Sequence, residues 1–406
     1  MKILHTADWH LGKKLNDFSR IDEQRAVLEE ICEIAEKEDV DAVIIAGDLF
    51  DSFNPSNEAV ELFYKTVHKL AKLGACPVIA IAGNHDSADR VEAPDTLARE
   101  CGIFLSGYPD TRVKELELST GLKITKTDAG FVELELPQTK ELLRIILTPY
   151  ASESRLKSFF GVENTDKEFR NIIAEKWQNL ASQYCDKDGV NILLTHLFMT
   201  NGTDLLDEPD DERHILHVGG AQPVYTEDIP KEIDYTALGH LHRFHNLAPD
   251  DKPPVIYSGS LLEYSLSETN QQKFVSIIDA KAGEQVSYSK IPLHSGKKVV
   301  RKKFESFEVA ITWLKENQDV YVELILVSDT YINAALKKEI YRTHKGVLGI
   351  IPEIKKESKE AEEKQLDVSA NIKDLFKQYF HSKYNQEANE EVLDLFEEII
   401  HRTPEE

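Results

Sequence analysis

Five short groups of side chains in this sequence could do chemistry together: Asp8-Trp9-His10, Gly47-Asp48-Leu49-Phe50-Asp51, Gly83-Asn84-His85-Asp86, His196, and Gly239-His240-Leu241-His242. Carboxylate, amide and imidazole donors in this mixture suit Mn, Fe or Zn more than Ca or Mg. Two divalent ions about 3.5–4 Å apart hydrolyse phosphoesters by binding the phosphate oxygens and lowering the pKa of a bridging water. Such a pair needs one carboxylate that gives an oxygen to each ion, and Asp48 is the candidate. In Asp8-x-His10 and His240-x-His242 the paired donors lie two residues apart, a spacing that turns both toward one side of an extended chain. Any one of these histidines alone reads as a surface or core residue, and a lone Gly-Asp as a turn. Their convergence carries the metal reading. His5, His68, His214, His217 and His245 gain nothing from it, and Trp9 and Phe50 read as packing residues.

Each group sits at the end of an apolar run: Met1 to Ala7, Ala42 to Ala46, Pro77 to Gly83, Val190 to Thr195, and Tyr235 to Gly239. Continuous runs with β-branched residues predict strands buried on both faces, as in a parallel sheet. Asp48 would then stand at the carboxyl end of its strand, where open α/β sheets place ligands. A helix after Phe18 takes Ser19 as its cap, with Asp22 three residues on, and buries Val27, Leu28, Ile31, Ile34 and Ala35. Asn54-Pro55-Ser56 opens a second, which turns Val60, Phe63, Tyr64, Val67, Leu70 and Ala71 inward and ends at Gly74. This β-α-β-α-β order predicts a parallel sheet covered by helices.

Beyond Gly107 the pattern becomes antiparallel: Leu122 to Lys126, Phe131 to Leu136 and Leu142 to Leu147 alternate with polar turns. A polar helix from Asp166 to Tyr184 precedes the His196 strand, and the acidic stretch Met199 to Val218 reads as an exposed loop at the rim of the site. Strands Val255 to Tyr257 and Phe274 to Ile278 complete the first domain. The basic cluster Lys297, Lys298, Arg301, Lys302 and Lys303 reads as either a solvated turn or a phosphate contact. A helix, strand, helix and strand from Phe307 to Ile351 form a compact module. Glu353 to Asp367 is a charged linker. Two amphipathic helices follow, one with Ile372, Leu375, Phe376, Tyr379 and Phe380 on a face, the other with Val392, Leu395, Phe396, Ile399 and Ile400. They pack on each other or the body, or dock on a partner.

At 406 residues the chain is too long for one ordinary core. No apolar run reaches the ~20 residues that span a bilayer, and the N-terminus opens as a strand with no secretion signal. Cys32, Cys76, Cys101 and Cys185 are scattered, with no CxxC pair, and read as reduced thiols of a cytosolic protein. A net charge of -24 argues against gripping DNA over a broad basic face. It leaves nucleic-acid chemistry open, because bound cations cancel carboxylates locally and a basic partner could hold the duplex.

In order and spacing, Asp8-x-His10, Gly47-Asp48-x-x-Asp51, Gly83-Asn84-His85-Asp86, His196 and Gly239-His240-x-His242 resemble the calcineurin-like metallophosphoesterases over roughly residues 1–280. The opening KILHTADWHLG, the GDLFD before Asn54-Pro55, and a small module followed by a helical tail resemble the SbcD branch more closely, the nuclease subunits of bacterial double-strand-break repair. The resemblance implies an α/β, four-layer sandwich of two sheets flanked by helices, with a small α/β cap domain and a C-terminal helical tail. It implies a nuclease domain at 1–285, a DNA-binding cap at 286–352, a charged linker at 353–367 and an SbcC-binding helical segment at 368–406.

For the site, the resemblance implies two Mn2+ ions, or other divalent ions. The first takes Asp8, His10 and His242, the second takes Asn84, His196 and His240, and Asp48 bridges. His85 is implied as the non-ligand acid or charge stabiliser at the leaving oxygen, with Asp51 as its orienting carboxylate. The implied activity is an Mn-dependent exonuclease on duplex DNA and endonuclease on single strands or hairpins. Such proteins act as homodimers with SbcC, a coiled-coil ATPase, in DNA repair, recombination and replication. The implied location is cytoplasmic and nucleoid-associated, with no membrane. A second reading keeps the metals and changes the substrate to a nucleotide or small phosphodiester. The cap and tail argue against it. A third, a non-enzymatic scaffold with structural metals, conflicts with an intact open two-metal site.

Overall fold

The computed structural model describes residues 1–150, 166–202, 224–328, 332–354 and 372–384, with 393 and 396. Two sheets stack face to face. The first has six strands in the order Ser287–Pro292, Phe274–Asp279, Lys2–Thr6, Ala42–Ile45, Val78–Ile81 and Ile103–Ser106. Its last four strands run parallel, and the Phe274–Asp279 strand joins Lys2–Thr6 antiparallel, pairing Leu4 with Ile277. The second has seven, in the order His245–Asn246, Val255–Tyr257, Tyr235–Leu238, Gly189–Thr195, Leu142–Thr148, Phe131–Glu135 and Lys123–Asp128.

Alternation along each strand explains the layering. Leu4, Val43 and Ile45 face the helices Ile21–Lys37 and Asn57–Ala71, while Ile3, Ile44, Ile79 and Ile81 meet Ile145, Val190, Ile192 and Leu194 of the second sheet. On the far side, Phe131, Ile146 and Leu193 pack against Ile173, Trp177 and Ala181 of the helix Asp166–Tyr184. Helix, sheet, sheet, helix is the four-layer order expected. With both faces of each central strand buried, their near-continuous apolar runs follow.

Some details differ from the sequence reading. The first helix begins at Ile21 with Arg20 at its cap position. Arg20 is fully buried and forks onto both carboxylate oxygens of Glu23, so a charged residue takes the place expected of Ser19. Met199 is buried, in a two-residue strand with Thr200 that pairs with Val224–Tyr225, so the expected exposed loop does not begin there. Residues 203–218 of that loop lie outside the described residues. Ile103–Ser106 and Ser287–Pro292 are strands that periodicity missed: the first has four residues beside polar turns, and the second is a half-exposed edge strand with little apolar content. The latter carries the first sheet past residue 285.

The basic cluster is a strand. Lys298–Phe304 pairs in parallel with Val320–Ser328, and Val347–Ile354 completes a three-stranded sheet backed by the helices Phe307–Glu316 and Ala334–Thr343. Its charges are largely engaged: Arg301 with Glu323 at 2.5 Å, Lys303 with Glu353 at 2.6 Å, Lys297 with Asp319 at 3.5 Å. This module docks beside the loop that follows His10. Tyr321 donates to Glu23 at 2.9 Å and lies under the Arg20 guanidinium, and Asn16 donates to the Leu348 carbonyl at 3.2 Å.

In the tail, the helix Ile372–Tyr384 stacks Phe376 on Phe396 with ring centroids 3.8 Å apart, and Leu393 is buried. The two amphipathic segments therefore meet, at least through these rings. The expected linker beyond residue 354, and the second tail helix apart from 393 and 396, lie outside the described residues. Among the described residues, no helix is long and apolar enough to cross a membrane.

Candidate metal centre

The five strands deliver their polar residues to one place, the carboxyl ends of both sheets. Asp8 and His10 follow Thr6, Asp48 follows Ile45, and Asn84 and His85 follow Ile81 in the first sheet. His196 follows Thr195, and His240 and His242 follow Leu238 in the second. All seven expected ligands are buried, none more than 5% exposed. Buried charge at this density is costly unless something of opposite sign sits among it.

The expected geometry of the paired donors does not hold. Asp8 and His10 are not on an extended chain; both are left-handed, with φ of 52° and 44°. Asp48 at 49° and His240 at 94° share this conformation. Non-glycine residues adopt it at a cost of about 1 kcal/mol or more, and they cluster at functional sites. Here the left-handed turn swings each side chain off its strand axis toward the centre. Glycine is required on either side of them. Gly47 has φ of 88°, and a Cβ there would strike the His196 ring. A Cβ at Gly83 would occupy the space of the Asp48 carboxylate and amide.

Distances divide the donors into two sets around Asp48. Its Oδ2 lies 3.5 Å from His10 Nε2 and 3.3 Å from His196 Nε2. On one side, His10 Nε2 is 2.9 Å from His242 Nε2. On the other, Asn84 Oδ1 is 2.9 Å from His196 Nε2 and 3.1 Å from His240 Nδ1. His196 must donate its Nδ1 proton to the Ala46 carbonyl at 2.6 Å, and His242 its Nδ1 proton to Glu268 at 3.0 Å. In the neutral rings, both Nε2 atoms therefore aim lone pairs inward, at other acceptors. Asp8 Oδ2 and His10 Nδ1 are buried without a hydrogen-bond partner, and one donor atom each from Asp8, His10 and Asp48 lies within 4.8 Å of the others. Converging lone pairs and orphaned acceptors fit divalent cations.

Electrostatics agree. Burial alone would raise Asp48, but His196 and His10 hold it well below the usual carboxylate range. Burial would lower His196, yet Asp48 and Asp8 lift it to about 9. Burial pushes Asp8 up to about 6 and His10 well below its ordinary value. The centre thus holds an anion at Asp48 and recruits positive charge beside it.

His85 lies at the edge, its ring 4.8 Å from that of His10. Its Nδ1 donates to the main-chain carbonyl of Asp51 at 3.0 Å. The Asp51 carboxylate instead accepts from Lys13 Nζ at 3.0 Å and lies 3.8 Å from His10 Nδ1. The orienting acceptor for His85 is therefore peptide oxygen, not the carboxylate expected, because Lys13 takes the side chain. Either way the ring is fixed through Nδ1, leaving Nε2 to exchange protons.

Two residues the sequence reading passed over brace the centre. Asp86 is fully buried and accepts from the amides of Leu49 (2.9 Å), Phe50 (2.9 Å) and Gly83 (2.8 Å), tying the Asp48 loop to the Asn84 loop. Its place in the Asn84-His85-Asp86 run was a signal of sorts. Glu268, on a short helical turn with no recognisable motif, backs His242.

The calcineurin-like phosphoesterase family model matches residues 1–244. The SbcD component of the SbcCD nuclease from Bacillus subtilis is 34% identical over 100% of this chain and 99% of its own length. The Staphylococcus epidermidis protein of the same name is 25% identical over 99% and 100%. Among solved structures, a dimetal phosphatase from Danio rerio aligns with 71% of this chain and 98% of its own, at 10% identity and a TM-score of 0.37.

Proposed function

Because this chain belongs to the calcineurin-like phosphoesterase family and, within it, to the SbcD nucleases, we propose that it is the manganese-dependent DNA nuclease of an ATP-driven repair complex. The observation that carries the two-ion reading is Asp48 Oδ2, which lies within 3.5 Å of an imidazole from each donor set. Asp8, His10 and His242 would hold one Mn2+, Asn84, His196 and His240 the other, with Asp48 between. Bound there, the ions supply a Lewis acid for the phosphate oxygens and a water of lowered pKa as nucleophile.

The protein's own residues do the rest. Asp86 holds the two loops in register, so that donors from separate strands keep a fixed spacing. His85, steadied through Nδ1, lends a proton to the leaving oxygen or stabilises its charge. The module at 286–352 is read as a cap over bound DNA. Three of the five basic residues at 297–303 are already paired with carboxylates, and the net charge of -24 leaves the holding of duplex to a partner. The helical segment at 368–406 is read as the dock for an SbcC-like coiled-coil ATPase, since Tyr379 stays 49% exposed beside the Phe376–Phe396 stack. Homodimerisation and a cytoplasmic, nucleoid-associated location complete the reading.

Purified protein with Mn2+ should release nucleotides from duplex ends and nick hairpins, more strongly with the ATPase present. Cleavage of nucleotides or small phosphodiesters alone, with every metal and with the partner, would overturn the DNA reading. A chain truncated after residue 367 should keep its metal and lose the ATPase on co-purification. Retention of the complex would overturn the docking assignment.

A further inference from the structure

Glu268 is a carboxylate only 2% exposed, on the turn Leu266–Glu268, 26 residues along the chain from His242. Its Oε1 accepts from His242 Nδ1 at 3.0 Å and from the Tyr264 amide at 3.1 Å. Its Oε2 accepts from Ser260 Oγ at 3.2 Å and pairs with the Lys273 ammonium. Lys273 is itself 7% exposed and donates to the His242 carbonyl at 2.9 Å and to Ser260 Oγ at 2.9 Å. His242 is thus gripped twice, ring by Glu268 and main chain by Lys273. The two imidazoles whose outer nitrogen meets main chain provide the contrast. His196 leans on the Ala46 carbonyl and His85 on the Asp51 carbonyl. A carboxylate behind an imidazole fixes the tautomer and raises the basicity of the opposite nitrogen more than a neutral carbonyl does.

We propose that Glu268 is a positioning residue that locks His242 as the Nδ1–H tautomer and makes the His10–His242 end of the centre its tighter metal site. The inference rests on the two-ion reading and adds an inequality to it. The outer partner of one inward-facing histidine is anionic, that of its counterpart His196 is neutral. The first ion then fills at concentrations where the second is still exchanging.

The test is a Mn2+ titration of the full chain followed by calorimetry and by the electron paramagnetic resonance of free Mn2+. Glu268→Gln alone would set an amide N–H against the Lys273 ammonium, so it is combined with Lys273→Met, which removes both buried charges and leaves an amide oxygen for His242. Wild type should bind two ions in two affinity classes. The double variant should weaken the tighter class by about 10–100-fold and leave the weaker class within threefold, with turnover recovered at saturating Mn2+. A merely structural pair would alter thermal stability without this selective loss. An unchanged tight class in a folded variant, an equal loss in both classes, or wild-type ions of indistinguishable affinity would each overturn the proposal. A wild type that binds no metal would instead remove the two-ion reading on which it stands.

Discussion

Replacing Asp86 with Asn asks whether one buried carboxylate keeps the Asp48 and Asn84 loops in register. Asp86 accepts three amide protons: Oδ2 takes Leu49 and Gly83, and Oδ1 takes Phe50. An amide has one acceptor, so one oxygen position becomes an N–H that faces another N–H. Each hydrogen bond to a charged group contributes about 1.5–3 kcal/mol, and a buried donor left without a partner costs about 1–3 kcal/mol. Two bonds weakened to neutral strength and a third replaced by an orphaned donor sum to roughly 3–5 kcal/mol. In a domain of 150–250 residues each kcal/mol moves Tm by about 2–4 °C, so a loss near 10 °C is expected in metal-free protein. A shift of about 1 Å between Asp48 and Asn84 should also lower kcat about 100-fold. Differential scanning calorimetry with a chelator present, and nuclease assays at saturating Mn2+, read the two effects separately. A variant with wild-type Tm and wild-type kcat would refute the bracing argument.

His85→Ala should abolish turnover while the two ions still bind, as metal analysis of the purified variant would show; loss of metal would make His85 a ligand. Gly83→Ala puts a methyl group where the Asp48 carboxylate lies. Metal content and kcat should fall together, kcat by about 100-fold or more. Glu133 and Arg144 form a buried pair at 2.6 Å in the second sheet. Although burial alone would raise Glu133, hydrogen bonds from Arg144, Thr125 and Lys126 hold it below its ordinary 4.5. Its contribution is therefore present above that pH and lost as pH falls through the lowered value. Because Arg144 keeps its pair with Asp186 at 2.5 Å, Glu133→Gln should cost about 1–3 kcal/mol at pH 7, and the gap from wild type should close in acid, measured by denaturant unfolding from pH 7 down to 3.

The candidate ligands were legible early because metal ligation demands particular atoms. Asp, Asn and His at the ends of five apolar runs are visible without any fold. The runs themselves betray doubly buried strands, since no solvent face interrupts them with polar residues. A helix opening at Asn54-Pro55-Ser56, and the polar Asp166–Tyr184 helix, also followed from local pattern. The basic cluster at 297–303 did not. A strand whose exposed face is charged reads like a turn until Glu323 and Glu353 are found across from it.

What the sequence determined by itself was the set of donors, their order, and the strands that end at them, because those depend on residue type and on period. Tertiary structure alone decided which atoms they use. The left-handed backbone at Asp8, His10, Asp48 and His240 re-aims side chains in a way no spacing predicts. The acceptors behind His85, His196 and His242 are the Asp51 and Ala46 carbonyls and a carboxylate on a distant turn. Such contacts arise where loops from separate strands meet at one rim of two sheets stacked face to face, and separation along a chain carries no record of them.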